Sequence, residues 1–334
     1  MLFPAGMLLL FVSIGSAQSI APSTADDSDH DGLSDVLENA LLVQFAPRFM
    51  VSGDDCSVRP ALFVPFQAKP TVEIENGTIY GQVFPRVGHA DQVEAHYYHL
   101  WRTDCGEMGH NLDTEHVSVL LVRDEASTWR ARYWYAAAHE DTVCDAGQIT
   151  RAGTIDAELH GPEVWISLGK HASFLSEAIC AKGCGGDNCH DMVPLATANV
   201  INLGELHAPM NGSTWIDSPE WPLAAKMSRS DFTEARMARL DPLSATSIAW
   251  AEPERRPGEA VIRSGLATRN GLAVGDRETD MALDLANADT GKAMAIASNH
   301  TGNGLSRAYR NVRKALGKTA RNVGGTIAGP KNSF

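Results

Sequence analysis

Between residues 60 and 171 the chain breaks into seven short runs rich in Val, Ile, Tyr, Trp and Phe: Pro60 to Gln67, Thr71 to Glu75, Thr78 to Phe84, Val93 to Trp101, Glu115 to Arg123, Thr128 to Ala138 and Pro162 to His171. Gly, Asn, Asp and Pro separate most of them. β-branched and aromatic residues fit a pleated, half-buried surface, and turn residues at this spacing mark strand ends. Seven such runs predict an antiparallel sandwich or barrel. Arg130 and Arg132 alternate with Ala131, Tyr133 and Tyr135, as in a sheet with one wetter face. The expected fold class is all-β, an antiparallel β-sandwich over residues 49–225.

The chain has 334 residues, 44% of them hydrophobic, enough for one sizeable core with appendages. Met7 to Ile14 is a short apolar run followed by Gly15-Ser16-Ala17, a small-x-small cleavage pattern. Residues 1–17 therefore read as a secretory signal peptide, too short to span a bilayer. The expected location is extracellular, or periplasmic. In an oxidising compartment Cys56, Cys105, Cys144, Cys180, Cys184 and Cys189 predict three disulfides, with 15 possible pairings. Cys184 with Cys189 would close a small loop, and Cys56 with Cys105 would join two early segments. A zinc site from Cys180, Cys184, Cys189 and His190 is the rival reading.

Asp27 to Glu38 reads DSDHDGLSDVLE. Asp27, Asp29, Asp31, Asp35 and Glu38 stand at positions 1, 3, 5, 9 and 12 of an EF-hand-type loop, with Gly32 at the turn position and the Leu33 carbonyl at position 7. Ca²⁺ takes about six to eight oxygens, which alternating carboxylates supply as the loop wraps the ion. The pattern resembles the single calcium loops of secreted proteins, since no helix-forming stretch precedes it. A helix should follow from Ser34 to Phe45, with Val36, Leu37, Ala40, Leu41 and Phe45 on one stripe and Pro47 ending it. Residues 18–48 form this calcium loop and helix.

His96 to Val122 concentrates histidines and carboxylates among aromatic residues. Within it Gly109 to Glu115 reads GHxxDxE and runs into an apolar strand. Extended backbone would put Asp113 and Glu115 on one face, with His110 in the loop before them. Two carboxylates and an imidazole at one spot suit a divalent cation. The heptad resembles the GHRHDWE heptapeptide of necrosis- and ethylene-inducing-like proteins (NLPs) at its Gly, first His, Asp and Glu; the second His and the Trp are Leu112 and Thr114 here. The resemblance implies a β-sandwich holding a cation through His110, Asp113, Glu115 and an upstream acid matching Asp104. Phe45-Ala46-Pro47-Arg48-Phe49, DTEHVSVLL and VWISLGKHASF are also similar to segments of proteins related to vacuolar protein sorting protein 62, over about residues 35–205.

His139 and His171 follow strand-like runs, and His99 shares a strand face with Trp101, so each is a possible further contact at that site. The hard-oxygen ligand set favours Mg²⁺, Ca²⁺ or Mn²⁺, and Zn²⁺ less. There is no GxSxG elbow, HExxH helix or Walker loop. Residues 226–334 form an Ala/Asp-rich segment and a tail, helical or partly disordered. After Asp289 the chain carries eight Lys and Arg and no acid, with Leu305, Tyr309, Val312 and Leu316 at helical spacing. Such a helix suits peripheral membrane contact, or docking on the protein's own acidic body. The net charge of −13 argues against nucleic acid as partner. The expected function is a secreted, metal-dependent binder of a polar lipid or glycan head group. The NLP resemblance points that way; the alternative is a secreted metal-dependent hydrolase of a phosphoester or similar bond.

Overall fold

Ser34 caps the first helix, its hydroxyl accepting a hydrogen bond from the Leu37 amide, and α1 runs over Asp35–Gln44. The computed structural model describes residues 27–318 except 107–108, 197–198, 213–219, 222, 261, 263, 270, 272–273, 275–276 and 278–301. The leader expected at residues 1–17 lies outside the described residues. The buried face of α1 carries Leu41, Leu42 and Phe45, while Val36 stays 71% exposed. The apolar stripe is thus rotated from the expected one: Leu42 replaces Val36. Leu42 fits because residue 81 is glycine; a Cβ there would lie 2.6 Å from Leu42 Cδ2.

The strands in chain order are β1 (Arg48–Ser52), β2 (Ala61–Phe63), β3 (Val72–Glu75), β4 (Thr78–Pro85), β5 (Gln92–Thr103), β6 (Asn111–Arg123), β7 (Trp129–Ala136) and β8 (Gln148–Arg151). They continue as β9 (Glu163–Ile166), β10 (Ser173–Phe174), β11 (Met192–Pro194), β12 (Asn199–Asn202), β13 (Gly204–Glu205), β14 (Ala208–Pro209) and β15 (Ala249–Trp250). One sheet has the order β12-β4-β5-β6-β7-β8-β15, the other β10-β9-β1-β11; β2-β3 and β13-β14 are small hairpins. Phe49, Val51, Val164 and Ile166 from the small sheet share one buried core with Val83, Ala95, Tyr97, Val117, Val119 and Trp134 from the large one. That arrangement is sandwich-like. Two pairings depart from the antiparallel expectation: β1 runs parallel to β9, and β12 parallel to β4. In both cases the partner arrives from far along the chain, so no tight hairpin forces it to reverse.

The second face of the large sheet is covered too. Trp221, Leu223 and Met227 pack on Tyr80, Tyr98 and Leu100, and Phe232, Leu240 and Ala249 pack on Leu120 and Tyr135. Double coverage explains why β5 is buried from Gln92 to Trp101. Arg130 and Arg132 are exposed as their alternation suggests, but the wet face ends at Tyr133, where this covering segment begins.

All six cysteines are paired: Cys56–Cys105, Cys144–Cys184 and Cys180–Cys189. The first matches the expected link. The small Cys184–Cys189 loop does not form: Cys189 turns back to the helix end at Cys180, leaving Cys184 for Cys144. With every thiol in a disulfide, the Cys-based zinc reading is overturned as well. If the covering segment belongs to the core, truncating its anchor should cost as much as any core deletion. Phe232 is fully buried, so Phe232→Ala should lower the urea-unfolding free energy by about 3–5 kcal/mol; a surface-like loss under about 0.5 kcal/mol would show the segment to be dispensable.

Candidate functional site

The N-terminal loop gathers its carboxylates on one side. Gly32 takes the left-handed turn conformation (φ 94°) and its amide donates to Asp27 Oδ2 at 3.2 Å. Ligand oxygens of Asp27, Asp29 and Asp31 lie within 4.8 Å of one another, as do those of Asp29, Asp35 and Glu38. The shared Asp29 joins the two groups into one cradle. Asp27 Oδ1, both oxygens of Asp29, Asp31 Oδ2 and Glu38 Oε1 are buried without a hydrogen-bond partner. Burial and then the neighbouring charges push Asp29 up to about 7 and Glu38 up to about 9; Asp31 is raised by burial to about 6. Asp35 shifts the other way, because the Ser28 hydroxyl and amide donate to it. Carboxylates packed together with unanswered oxygens fit a hard cation. Asn202 Nδ2 donates to Glu38 Oε2 at 3.1 Å, which ties the cradle to the end of β12. Glu205, on β13, adds charge against Asp29 and Asp31 and has its own buried unpartnered oxygen, Oε1.

The GHxxDxE residues sit where β6 starts. Asp113 and Glu115 are extended on β6, opposite Trp101 and His99 of β5, and both are largely buried. His110 precedes the strand; its side chain is 59% exposed and its Nε2 lies 3.9 Å from Asp104 Oδ2. The Asp104 amide donates to the His110 carbonyl at 2.8 Å, closing the base of the loop. Asp113 points instead to His171, Oδ2 to Nδ1 at 3.1 Å. Among the described residues, no three of Asp104, His110, Asp113 and Glu115 bring ligand atoms within 4.8 Å of one another. The structure thus shows two pairs side by side. Glu115 Oε2 is buried without a partner, and burial pushes its carboxyl well above the usual range despite Lys226 nearby.

His171 is the hub. Its Nε2 lies 3.4 Å from Asp55 Oδ1, and its ring stacks on Trp101 at 4.2 Å between centroids. Burial opposes its charge, but hydrogen bonds and charges from Asp113 and Asp55 raise it to about 9. Asp55 escaped the sequence reading because distant contacts, the Cys56–Cys105 bond and a hydrogen bond from the Gly169 amide at 2.9 Å, bring it to His171; its place beside Cys56 was the available signal. His99 is fully buried and uses both ring nitrogens, accepting from Trp101 Nε1 and meeting Ser173 Oγ, each at 2.8 Å. It is a core residue with no nitrogen left for an ion. His139 pairs with Asp187 at 2.9 Å, and Ser167 donates to the same carboxylate. A nucleophilic triad needs the imidazole between serine and acid; here the acid lies between. Leu112, His139 and His171 all have positive φ (61°, 52° and 51°), an uncommon backbone for such residues, of order 1–3 kcal/mol each. A groove of about 550 Å³ lies elsewhere, lined by Leu33, Arg86, Arg123 and Trp129 at the far end of β6.

Structural neighbours of the chain are NLPs. An NLP solved in complex with glucosamine is 14% identical, covers 52% of this chain and 75% of its own, and has a TM-score of 0.33. A triple mutant of the same NLP is also 14% identical, over 60% and 87%, with a TM-score of 0.36. Necrosis and Ethylene inducing Protein 2 from the causal agent of cocoa's Witches Broom disease is 18% identical over 48% and 72%, with a TM-score of 0.30. No family model matches the chain, and no curated protein matches it. The relation to vacuolar protein sorting protein 62 thus rests on the quoted segments alone. Residue roles rest on this chain's own geometry.

The loop carboxylates carry a signed prediction. Their folded-state values lie above the ordinary ones of 3.8 and 4.5, so without cation they stabilise the fold at low pH, and that contribution is lost as pH rises through about 6, 7 and 9. In EDTA the melting temperature should fall from pH 4 toward pH 9, and Ca²⁺ should restore it most at the alkaline end, where protons no longer compete. Scanning calorimetry with and without Ca²⁺ reads this; parallel curves at all pH values would refute it.

Proposed function

We propose that the protein is an exported, cation-dependent binder of a polar head group, glycan or lipid. Ca²⁺ in the Asp27–Glu38 loop fixes α1 to the sandwich. A second divalent ion at Asp104, His110, Asp113 and Glu115 forms the recognition site. The observation that carries the second ion is Glu115: a buried carboxylate, next to Asp113 on one strand face, with an oxygen that no donor reaches. A hard cation answers that oxygen, and exposed His110 and half-buried Asp104 complete the shell by a small movement of their loop. Mg²⁺, Ca²⁺ or Mn²⁺ suits this ligand set. An ion held there would keep open positions for sugar or phosphate oxygens.

Three disulfides support export. The helix at 302–318 leaves Leu305, Tyr309, Val312 and Leu316 exposed beside Arg307, Arg310, Arg313 and Lys314, which supports a supplementary contact with an anionic membrane. The hydrolase alternative draws no support from the two serine–histidine neighbourhoods, since His99 has no carboxylate behind it and Asp187 separates Ser167 from His139.

Glu115→Gln separates the outcomes. In EDTA it should melt at or above the wild-type temperature, because burial already disfavours the charged form of Glu115 and a neutral amide replaces it. With metal present it should lose one equivalent of bound ion and its affinity for the probes. The first probes are glucosamine, mannosamine and vesicles carrying glycosylated lipids, read by calorimetry and co-sedimentation. Equal metal content in variant and wild type would remove the rim ion. Metal-dependent turnover of a phosphodiester, ester or glycoside panel by the wild type would replace the binding function with hydrolysis.

A further inference from the structure

On the opposite face of β6 from Asp113 and Glu115 lies a second group of ionisable residues, sealed from solvent. His96 on β5 and His116 on β6 stack at 5.8 Å with ring planes 10° apart. Above them sits Asp231, from the segment that covers the sheet. His116 Nε2 is 2.9 Å and His96 Nδ1 3.6 Å from the same oxygen, Asp231 Oδ2. The three side chains are at most 2% exposed. Ligand atoms of all three lie within 4.8 Å of one another.

The other nitrogen of each imidazole faces a carboxylate. His96 Nε2 is 3.4 Å from Glu94 Oε2, and His116 Nδ1 is 3.9 Å from Glu140 Oε2. These carboxylates are held in turn: Ser230 Oγ donates to Glu94 at 2.5 Å, Tyr135 Oη donates to Glu140 at 2.7 Å, and Arg229 pairs with Glu140. Ser118 donates to Asp231 Oδ2 at 2.6 Å, and Arg236 approaches Asp231 Oδ1 at 3.3 Å. Histidines that bind metal through one nitrogen typically present the other to a carboxylate, which fixes the ring and raises its basicity. His96 has that relation through Glu94, and His116 Nδ1 faces Glu140 at a longer 3.9 Å, while their remaining nitrogens converge on one acid.

We propose that His96, His116 and Asp231 form a buried zinc site that staples the covering segment to the sheet. Tetrahedral zinc with bonds of roughly 2.0–2.1 Å separates its ligands by about 3.3 Å. The two observed separations, 2.9 and 3.6 Å, bracket that value. Direct hydrogen bonding serves the group poorly: His96 Nδ1, His116 Nδ1 and Glu140 Oε2 are all buried without a partner. Charging both stacked imidazoles would set two cations face to face, whereas an ion between neutral rings and a carboxylate avoids this. Two nitrogens and one carboxylate oxygen are borderline donors, suited to zinc more than to Ca²⁺ or Mg²⁺. Three protein donors leave one tetrahedral position for water. Because the site is sealed, its role is to hold structure; it depends neither on the rim ion nor on any head group.

The test is metal analysis of the full chain prepared in zinc-supplemented medium and dialysed against a weak chelator. Wild type and Glu38→Gln should each retain about one zinc per chain, whereas His96→Gln and Asp231→Asn should retain none. Wild-type apoprotein given Co²⁺ should develop the strong visible absorption of a four-coordinate ion, a readout that needs no variant to fold. Chelation should open the segment to trypsin at Arg229, Arg236 and Arg239, and zinc should close it again. A wild type that neither carries zinc nor takes up Co²⁺ would overturn the proposal. So would zinc that persists in Asp231→Asn.

Discussion

The pairing of β5 with β6 brings the molecule's chemistry together. Residues 92–103 lie against 111–122 in register, so alternation sends Ala95, Tyr97, Val117, Val119, Asp113 and Glu115 to one face and His96, Tyr98, His116 and Ser118 to the other. Both faces are then covered, one by the small sheet and one by the segment around Trp221 to Ala251. A polar residue on either strand meets protein in place of water, and must be answered there. That demand accounts for the density of imidazole–carboxylate pairs: His171 with Asp113 and Asp55, His116 and His96 with Asp231.

Strands with strong β-propensity and clear turn residues at their ends were legible. All seven predicted runs overlap an observed strand over most of that strand's length, and the carboxylates of the Asp27–Glu38 loop lie close to one another. What escaped was set by distant partners. β1 and β8 are short; β1 gains its place from β9 and β11, and β8, laid beside β7, is closed on its other edge by the distant β15. The C-terminal part of the covering segment lies in a stretch, Asp241 to Thr290, rich in Ala, Asp, Arg and Gly and without clear periodicity. Yet Phe232 and Leu240 just before it, and Ala249 and Ala251 within it, are buried against the large sheet.

The same limit applied to the site. Extended backbone at Asp113 and Glu115 followed from the pattern, and so did the loop position of His110. That Asp113 turns to His171 did not, because this needs β10 and its preceding turn brought against β6. His96 and His116 stood out within the histidine-rich stretch, but their acid partner lies more than a hundred positions away at Asp231. Local sequence gives direction along a strand, whereas these contacts run across the sandwich.

The two parallel pairings bear on how the chain reaches its fold. β1 waits for Glu163–Trp165, and β4 waits for Asn199–Asn202. Each closes a loop of more than a hundred residues whose entropy must be lost before the contact repays it. The antiparallel β4–β7 meander, by contrast, joins neighbours through short connections. It can therefore form early as a hairpin stack with its polar faces still wet, leaving the sheet edges and the small sheet to close late. Folding dominated by such long-range closure belongs to the slow end of the range for single domains.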